Sequence, residues 1–269
     1  MIEEWIKDED TDLELLPFCH TTRWKSFEKI LKQGALAKKH SRFPNPEIKD
    51  VKGKEVIYLY YGLPFYIYET GDGENVNIEA TDDLPIGLIF KPESVHRHDA
   101  CYPFDSGALF SDKYKHLLSC SFNELEINYK LTLIDGERIK KLTKRYYSEN
   151  ENYCNGLVCF NNVHKCPKEE NLLRLLNHSA NSPIDLRMRA FEIHSLDDLS
   201  LEDNLLAIIL PKRRANKYKE ILDNISHKYP LVKIVKYRDF QKGSHLDFRA
   251  VMMNTVMDFY EKDYPEFLS

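Results

Sequence analysis

Val56-Ile57-Tyr58-Leu59-Tyr60-Tyr61-Gly62 is a run of β-branched and aromatic residues without polar alternation, the pattern of a strand buried on both faces and stopped by glycine. Upstream of it, Leu15, Leu16 and Phe18 lead into His20-Thr21-Thr22 as a short strand. Apolar residues then recur at helical spacing at Trp24, Phe27, Ile30 and Leu31; Thr21 or Thr22 can cap that helix and Gly34 is placed to end it. Downstream, residues 86–90 and 156–160 are short apolar runs that read as strands. Residues 127–134 alternate Ile127, Tyr129, Leu131 and Leu133 against Asn128, Lys130 and Thr132, as a half-exposed strand does. Residues 137–147 read as a basic helix, and residues 186–194 as a strand that puts Leu186, Met188 and Ala190 on the face of Glu192. A continuous apolar strand over residues 205–210 ends at Pro211; a helix near 215–227, a strand at 231–237 and a last helix near 247–260 complete the chain. The order is mixed rather than strictly βαβ, so the expected fold is α+β: a strongly twisted, mostly antiparallel sheet with flanking helices.

With 269 residues, 42% of them hydrophobic, the chain can bury one large core, which predicts a single domain over 1–269 with an acidic leader (1–14) and a C-terminal helical extension (241–269). A formal net charge of -5 excludes a molecule that grips polyanions over its whole surface, so any such contact is local. No apolar run approaches the roughly 18 residues of a membrane span, and the acidic start is unlike a secretory signal, so we expect a cytoplasmic protein with no membrane partner. Six cysteines at irregular spacing read as reduced thiols. Cys154, Cys159, His164 and Cys166 match no common zinc spacing, and no metal is expected. Neither a P-loop nor a Rossmann fingerprint occurs.

Three features could carry chemistry. Glu192 is a carboxylate between Phe191 and Ile193 in a strand, where glutamate is a poor fit; an edge position or an arginine partner is the plain explanation, and a functional site the other. His20 closes a strand before a helix. Tyr60 and Tyr61, followed by Pro64, Phe65, Tyr66 and Tyr68, form a dense aromatic patch that serves either as core or as a grip on a ring-shaped ligand. Alternation puts Tyr60 and Tyr61 on opposite faces without choosing between them.

In this order and spacing, the three features resemble ADP-ribosyltransferases of the His-Tyr-Glu type. Pro17-Phe18-Cys19-His20-Thr21-Thr22 and Ile30-Leu31-Lys32-Gln33-Gly34-Ala35-Leu36 are similar to that family's opening strand and helix. Glu55-Val56-Ile57-Tyr58-Leu59-Tyr60-Tyr61-Gly62 resembles the second block as it occurs in DarT-type toxins that modify DNA, and Arg189-Ala190-Phe191-Glu192-Ile193-His194 the catalytic-glutamate block. Where DarT-type enzymes carry an arginine after the aromatic block, this chain reads Leu63-Pro64-Phe65; Arg97, Arg187 or Arg189 could supply a cation from elsewhere.

The resemblance implies an NAD-dependent mono-ADP-ribosyltransferase acting as a bacterial toxin or anti-phage effector. Its acceptor would be nucleic acid ahead of protein, and its partner an antitoxin or ADP-ribosyl hydrolase. It implies Glu192 as the catalytic carboxylate at the nicotinamide ribose, where cleavage builds positive charge. His20, Thr21 and Thr22 would contact NAD, with Tyr60 or Tyr61 stacking on nicotinamide and Tyr68 forming a second wall. The loop before the glutamate, with His178, Ser179 and Asn181, would contact the acceptor, aided by Arg189. A separate polar cluster containing His96, Tyr102, Asp105 and Ser106 reads as a border of the site that closes over NAD or places the acceptor, with Asp105 as its test residue. The basic runs around residues 138–145 and 212–219 read as solvated helix faces or as a phosphate-tracking surface. Rival readings are an NAD glycohydrolase, with water as acceptor, and a non-catalytic nucleotide- or nucleic-acid-binding module.

Overall fold

The computed structural model describes residues 1–38, 56–65, 76–77, 84–94, 96, 99–106, 122–132, 136–159, 166–181, 186–239, 242–243 and 245–268. They contain strands β1 (Phe18–Thr22), β2 (Ala35–Leu36), β3 (Ile57–Tyr61), β4 (Val76–Asn77), β5 (Ile86–Phe90), β6 (Ala100–Tyr102), β7 (Leu131–Thr132), β8 (Glu192–Ser195), β9 (Leu199–Ser200), β10 (Leu205–Pro211), β11 (Lys233–Tyr237) and β12 (Lys242–Gly243). Eight of them form one sheet in the order β11-β10-β5-β1-β3-β8-β6-β7, antiparallel throughout except for the β10–β11 pair. Helices flank this sheet, so the fold is α+β and mostly antiparallel, as the sequence predicts.

The central ladder is uneven. β1 pairs with β5 over five rungs, from Phe18↔Phe90 to Thr22↔Ile86, but with β3 over only two, Phe18↔Tyr61 and Cys19↔Tyr60. β1 and β3 therefore part after Cys19, and His20 reaches across the gap, its Nδ1 donating to the Tyr58 carbonyl at 3.0 Å. On one side of the sheet lies an aromatic core. Tyr61 packs against Phe18, Tyr153 and Phe191, with ring centroids 5.3 to 6.1 Å apart, and helices Glu137–Tyr147 and Asn150–Asn155 supply Tyr147 and Tyr153.

Both chain ends belong to the core. Ile2 and Ile6 are buried on helix Ile2–Ile6, and the acidic leader is held by the basic helix, through Arg138–Glu3 and through Arg145, which bonds Glu9 (2.8 Å) and Glu169 (2.6 Å). Those cations are thus partly neutralised within the molecule rather than offered as an open face. The C-terminal helix His245–Asp263 buries Phe248, Met252, Val256 and Tyr260, and the Tyr260 hydroxyl donates to the Gly62 carbonyl at 2.8 Å.

Five local expectations are corrected. Residues 127–134 are not one strand: helix Phe122–Tyr129, which buries Leu125, Asn128 and Tyr129 at helical spacing, takes up residues 127–129, and among the described residues of the stretch only Leu131–Thr132 is extended. Residues 156–159 are not a strand, because Gly156, at φ 73°, is the left-handed cap of helix Asn150–Asn155. The stretch at 186–194 is a 3-10 turn, Leu186–Arg189, followed by β8 alone, so Leu186 and Met188 do not share a strand face with Glu192. The helix near 215–227 is two helices, Lys212–Lys217 and Lys219–Lys228, broken where Tyr218 stacks on Trp24 at 3.7 Å. Arg23, not Thr21 or Thr22, occupies the N-cap of helix Trp24–Gln33, because both threonines are committed to β1; Gly34 ends that helix at φ 71°, as expected.

Candidate active site

Tyr60, Glu192 and Tyr102 sit on one rung across β3, β8 and β6. Residues directly opposite one another in a ladder share a face, so the aromatic patch, the late glutamate and the polar cluster meet there. Glu192 has no solvent exposure. Its Oε1 accepts from Ser106 Oγ at 2.5 Å and lies 2.5 Å from His194 Nε2, while its Oε2 has no hydrogen-bond partner. A buried carboxylate oxygen left without a donor is costly, which makes Oε2 the one atom of this rung built to meet something further.

The surroundings hold that carboxylate in place. His194, two residues on and hence on the same face, lies between the rings of Tyr58 and Tyr102, with centroids 4.8 and 4.9 Å away. Tyr60 donates its hydroxyl to Asp105 Oδ2 at 3.1 Å, and Tyr102 donates to Glu126. Burial raises the Tyr102 hydroxyl pKa first of all, and the neighbouring Glu126 and Glu192 charges raise it further. Burial likewise raises the Cys101 thiol, with Glu192 adding to it. Tyr60, Asp105, Ser106 and His194 are themselves buried, so the constellation is closed to solvent and a ligand enters only if its cover moves.

The residues singled out in the sequence separate into groups. Glu192, Tyr60 and Asp105 come together. His20 lies on the adjoining strand, joined to β3 at Tyr58, whose rung partner is His194. Thr21 and Thr22 are buried and pair with Gly87 and Ile86. Tyr61 faces the aromatic core, where its hydroxyl accepts from the Leu16 N–H at 3.1 Å and donates to Asn150 Oδ1 at 3.4 Å. Arg189 lies on that same side, against Phe65 and Gly156, and makes no ion pair with Glu192. The backbone carrying His178, Ser179 and Asn181 is not a loop but the end of helix Pro167–Asn181, a continuation that the Asn and Ser content concealed. Tyr68 and Arg97 lie outside the described residues.

His194 and Glu126 carry no role in the sequence reading, which includes Ser106 only as part of the polar cluster bordering the site. His194 was within reach, since a residue two places from a strand glutamate shares its face; the contacts of Ser106 and Glu126 depend on how β6 and the helix after it come back over β8. Chemically, the rung presents a carboxylate with one oxygen fixed and one open, backed by an imidazole, in a water-poor setting. Such a group can accept a hydrogen bond from a sugar hydroxyl, oppose developing positive charge, or exchange a proton with His194. Compared with known proteins, the chain matches no family model, no curated protein and no solved structure.

Proposed function

We propose that the chain is an NAD-dependent mono-ADP-ribosyltransferase with Glu192 as its catalytic carboxylate. The observation that carries the reading is the unpartnered Oε2 of buried Glu192, set on one rung with Tyr60 and with its other oxygen held by Ser106 and His194. The residues fit the group: NAD offers a ribose hydroxyl to the open oxygen and a cationic ring to an aromatic face. Glu192 opposes the positive charge that grows on the ribose as nicotinamide leaves. Ser106 and His194 keep the carboxylate oriented, and Tyr60, tethered to Asp105, is an aromatic face on the same rung. His20, on β1, is the neighbour for the adenosine-side ribose. Nucleic acid as the acceptor, a role as toxin or anti-phage effector, and an antitoxin or ADP-ribosyl hydrolase partner extend this reading on the strength of the family resemblance, as does a cytoplasmic site of action. Among the described residues no helix is long and apolar enough to cross a membrane.

The test is incubation of wild-type and Glu192→Gln protein with adenylate-labelled NAD and separate pools of single-stranded DNA, RNA and cell protein. Label should enter a nucleic-acid pool with wild type, and the variant should be slower by about 10²- to 10⁴-fold. Label in the protein pool alone would move the acceptor to protein, and free ADP-ribose without labelled macromolecule would make water the acceptor. Intact NAD with every pool unlabelled would sink the catalytic reading.

A further inference from the structure

Arg189 is 5% exposed, its Nε is enclosed with no hydrogen-bond partner, and among the described residues its guanidinium makes no hydrogen bond or ion pair. A buried guanidinium without a counter-charge is strongly disfavoured unless something neutralises it. The chain makes room for it all the same. Gly156 leaves open the volume that Nη1 fills, since a Cβ there would lie 1.1 Å from that nitrogen, and the Phe65 ring lies 5.8 Å from the guanidinium carbon.

Two more unsatisfied donors stand beside it. The Tyr147 hydroxyl is buried with no partner, and the buried, free Cys154 thiol has no hydrogen bond among the described residues. Both stand near it in the fold: Cys154 lies on the helix that Gly156 caps, and the Tyr147 ring packs against Tyr153 and Phe191 with centroids 5.0 and 5.8 Å away. Burial raises both groups' pKa values, and the Arg189 charge opposes that rise. Glu151 is the acid whose charge also reaches Cys154, but it forms no ion pair with Arg189. Guanidinium, phenol and thiol thus stand together with donors to give and no acceptor to give them to. A carboxylate brings two acceptor oxygens, a phosphate three or four, and three donor groups arriving from a turn and two helices suit the latter.

We infer that Arg189, Tyr147 and Cys154 form a phosphate-binding site on the Phe191 side of the sheet, separate from the Glu192 rung. The site is independent of the proposed catalysis: Glu192→Gln should bind phosphate as wild type does, whether or not NAD is turned over. The phosphate is either a free small anion or a nucleic-acid backbone group, and both offer the same chemistry to the donors.

The experiment is calorimetric titration of wild-type, Arg189→Met and Tyr147→Phe protein with inorganic phosphate, with thermal unfolding of each without phosphate. Wild type should bind; Arg189→Met should lose at least about tenfold in affinity and Tyr147→Phe should bind measurably more weakly. Without phosphate, Arg189→Met should unfold at the wild-type temperature or above it, because an unpaired buried charge has been removed. Equal phosphate affinity in all three proteins, or no binding by wild type, overturns the inference; so does an Arg189→Met protein that melts lower yet still binds. If Arg189→Met does not fold, unchanged affinity in Tyr147→Phe is enough to overturn it. Adding a short single-stranded DNA distinguishes the sources: displacement of phosphate assigns the site to a nucleic-acid backbone, and coexistence assigns it to a free anion.

Discussion

Raising the pH from 7.5 to 10 should remove much of the folding stability, and the loss can be assigned to particular thiols. Cys19, Cys101 and Cys154 are all buried and free. Burial raises each thiol's pKa, Cys154 being pushed up from its ordinary 9.0 to about 12 and the other two also upward. In the unfolded chain these thiols begin to ionise near pH 9, while in the native state they keep their protons. The native state then binds more protons, so stability is complete below pH 9 and falls as the pH climbs towards the native value. At pH 10 the loss depends on the unfolded value alone and is about 1.4 kcal/mol per thiol, about 4 kcal/mol for the three together. The buried phenols Tyr61, Tyr147 and Tyr153, whose pKa values burial also raises, add about 0.4 kcal/mol each, about 1 kcal/mol together, by the same route. The sum, about 5 kcal/mol, rivals the whole stability of a typical domain. Urea unfolding at the two pH values under reducing conditions, followed by tryptophan fluorescence, measures it. Cys154→Ala lowers stability at both pH values through its cavity, but the difference between them should shrink by about 1.4 kcal/mol. An unchanged difference in that variant, or a wild type equally stable at both pH values, would refute the reasoning.

The two adjacent tyrosines should behave differently. Tyr61→Phe strands the Leu16 N–H and the Asn150 oxygen, and should cost about 1–3 kcal/mol in urea unfolding while sparing any turnover per folded molecule. Tyr60→Phe removes the donor to Asp105, and its loss of NAD turnover should exceed its loss of stability. Gly62→Ala should cost about 2 kcal/mol in the same unfolding assay, because φ is 71° and the new Cβ would lie 2.8 Å from Leu16 Cδ1.

Strands in the middle of the sheet were legible because their burial on both faces leaves an unbroken apolar run, as in β5 and β10. The misreadings occur where a short apolar stretch crosses a boundary between elements. Ile127, Tyr129 and Leu131 alternate on paper, yet the first two belong to a helix and the third to a two-residue strand, and Ile127 is 58% exposed. Gly156 opened a seeming strand because a glycine followed by Leu, Val and Cys looks extended, whereas its positive φ marks a helix end. Glu192 drew attention by breaking strand preferences, and it proved to be fully buried with one oxygen unpartnered; nothing local in the sequence could show that Ser106 would return to hold the other oxygen.

Arg189 and Glu192 are opposite charges three residues apart, a spacing at which a helix would let them neutralise each other. The chain prevents this by changing structure between them. Arg189 ends a 3-10 turn and lies against Gly156, whereas Glu192 opens β8 on the rung shared with Tyr60 and Tyr102. Each charge is therefore buried without the other, at a cost that a direct ion pair would reduce. A sequence under selection for stability alone has simple remedies: an apolar residue at 189, or an amide at 192 that keeps the acceptor for Ser106. That the chain retains a cation with unused donors at one place and a carboxylate with an unused acceptor at another is what the two proposed sites explain together, one receiving an anion and the other a hydroxyl.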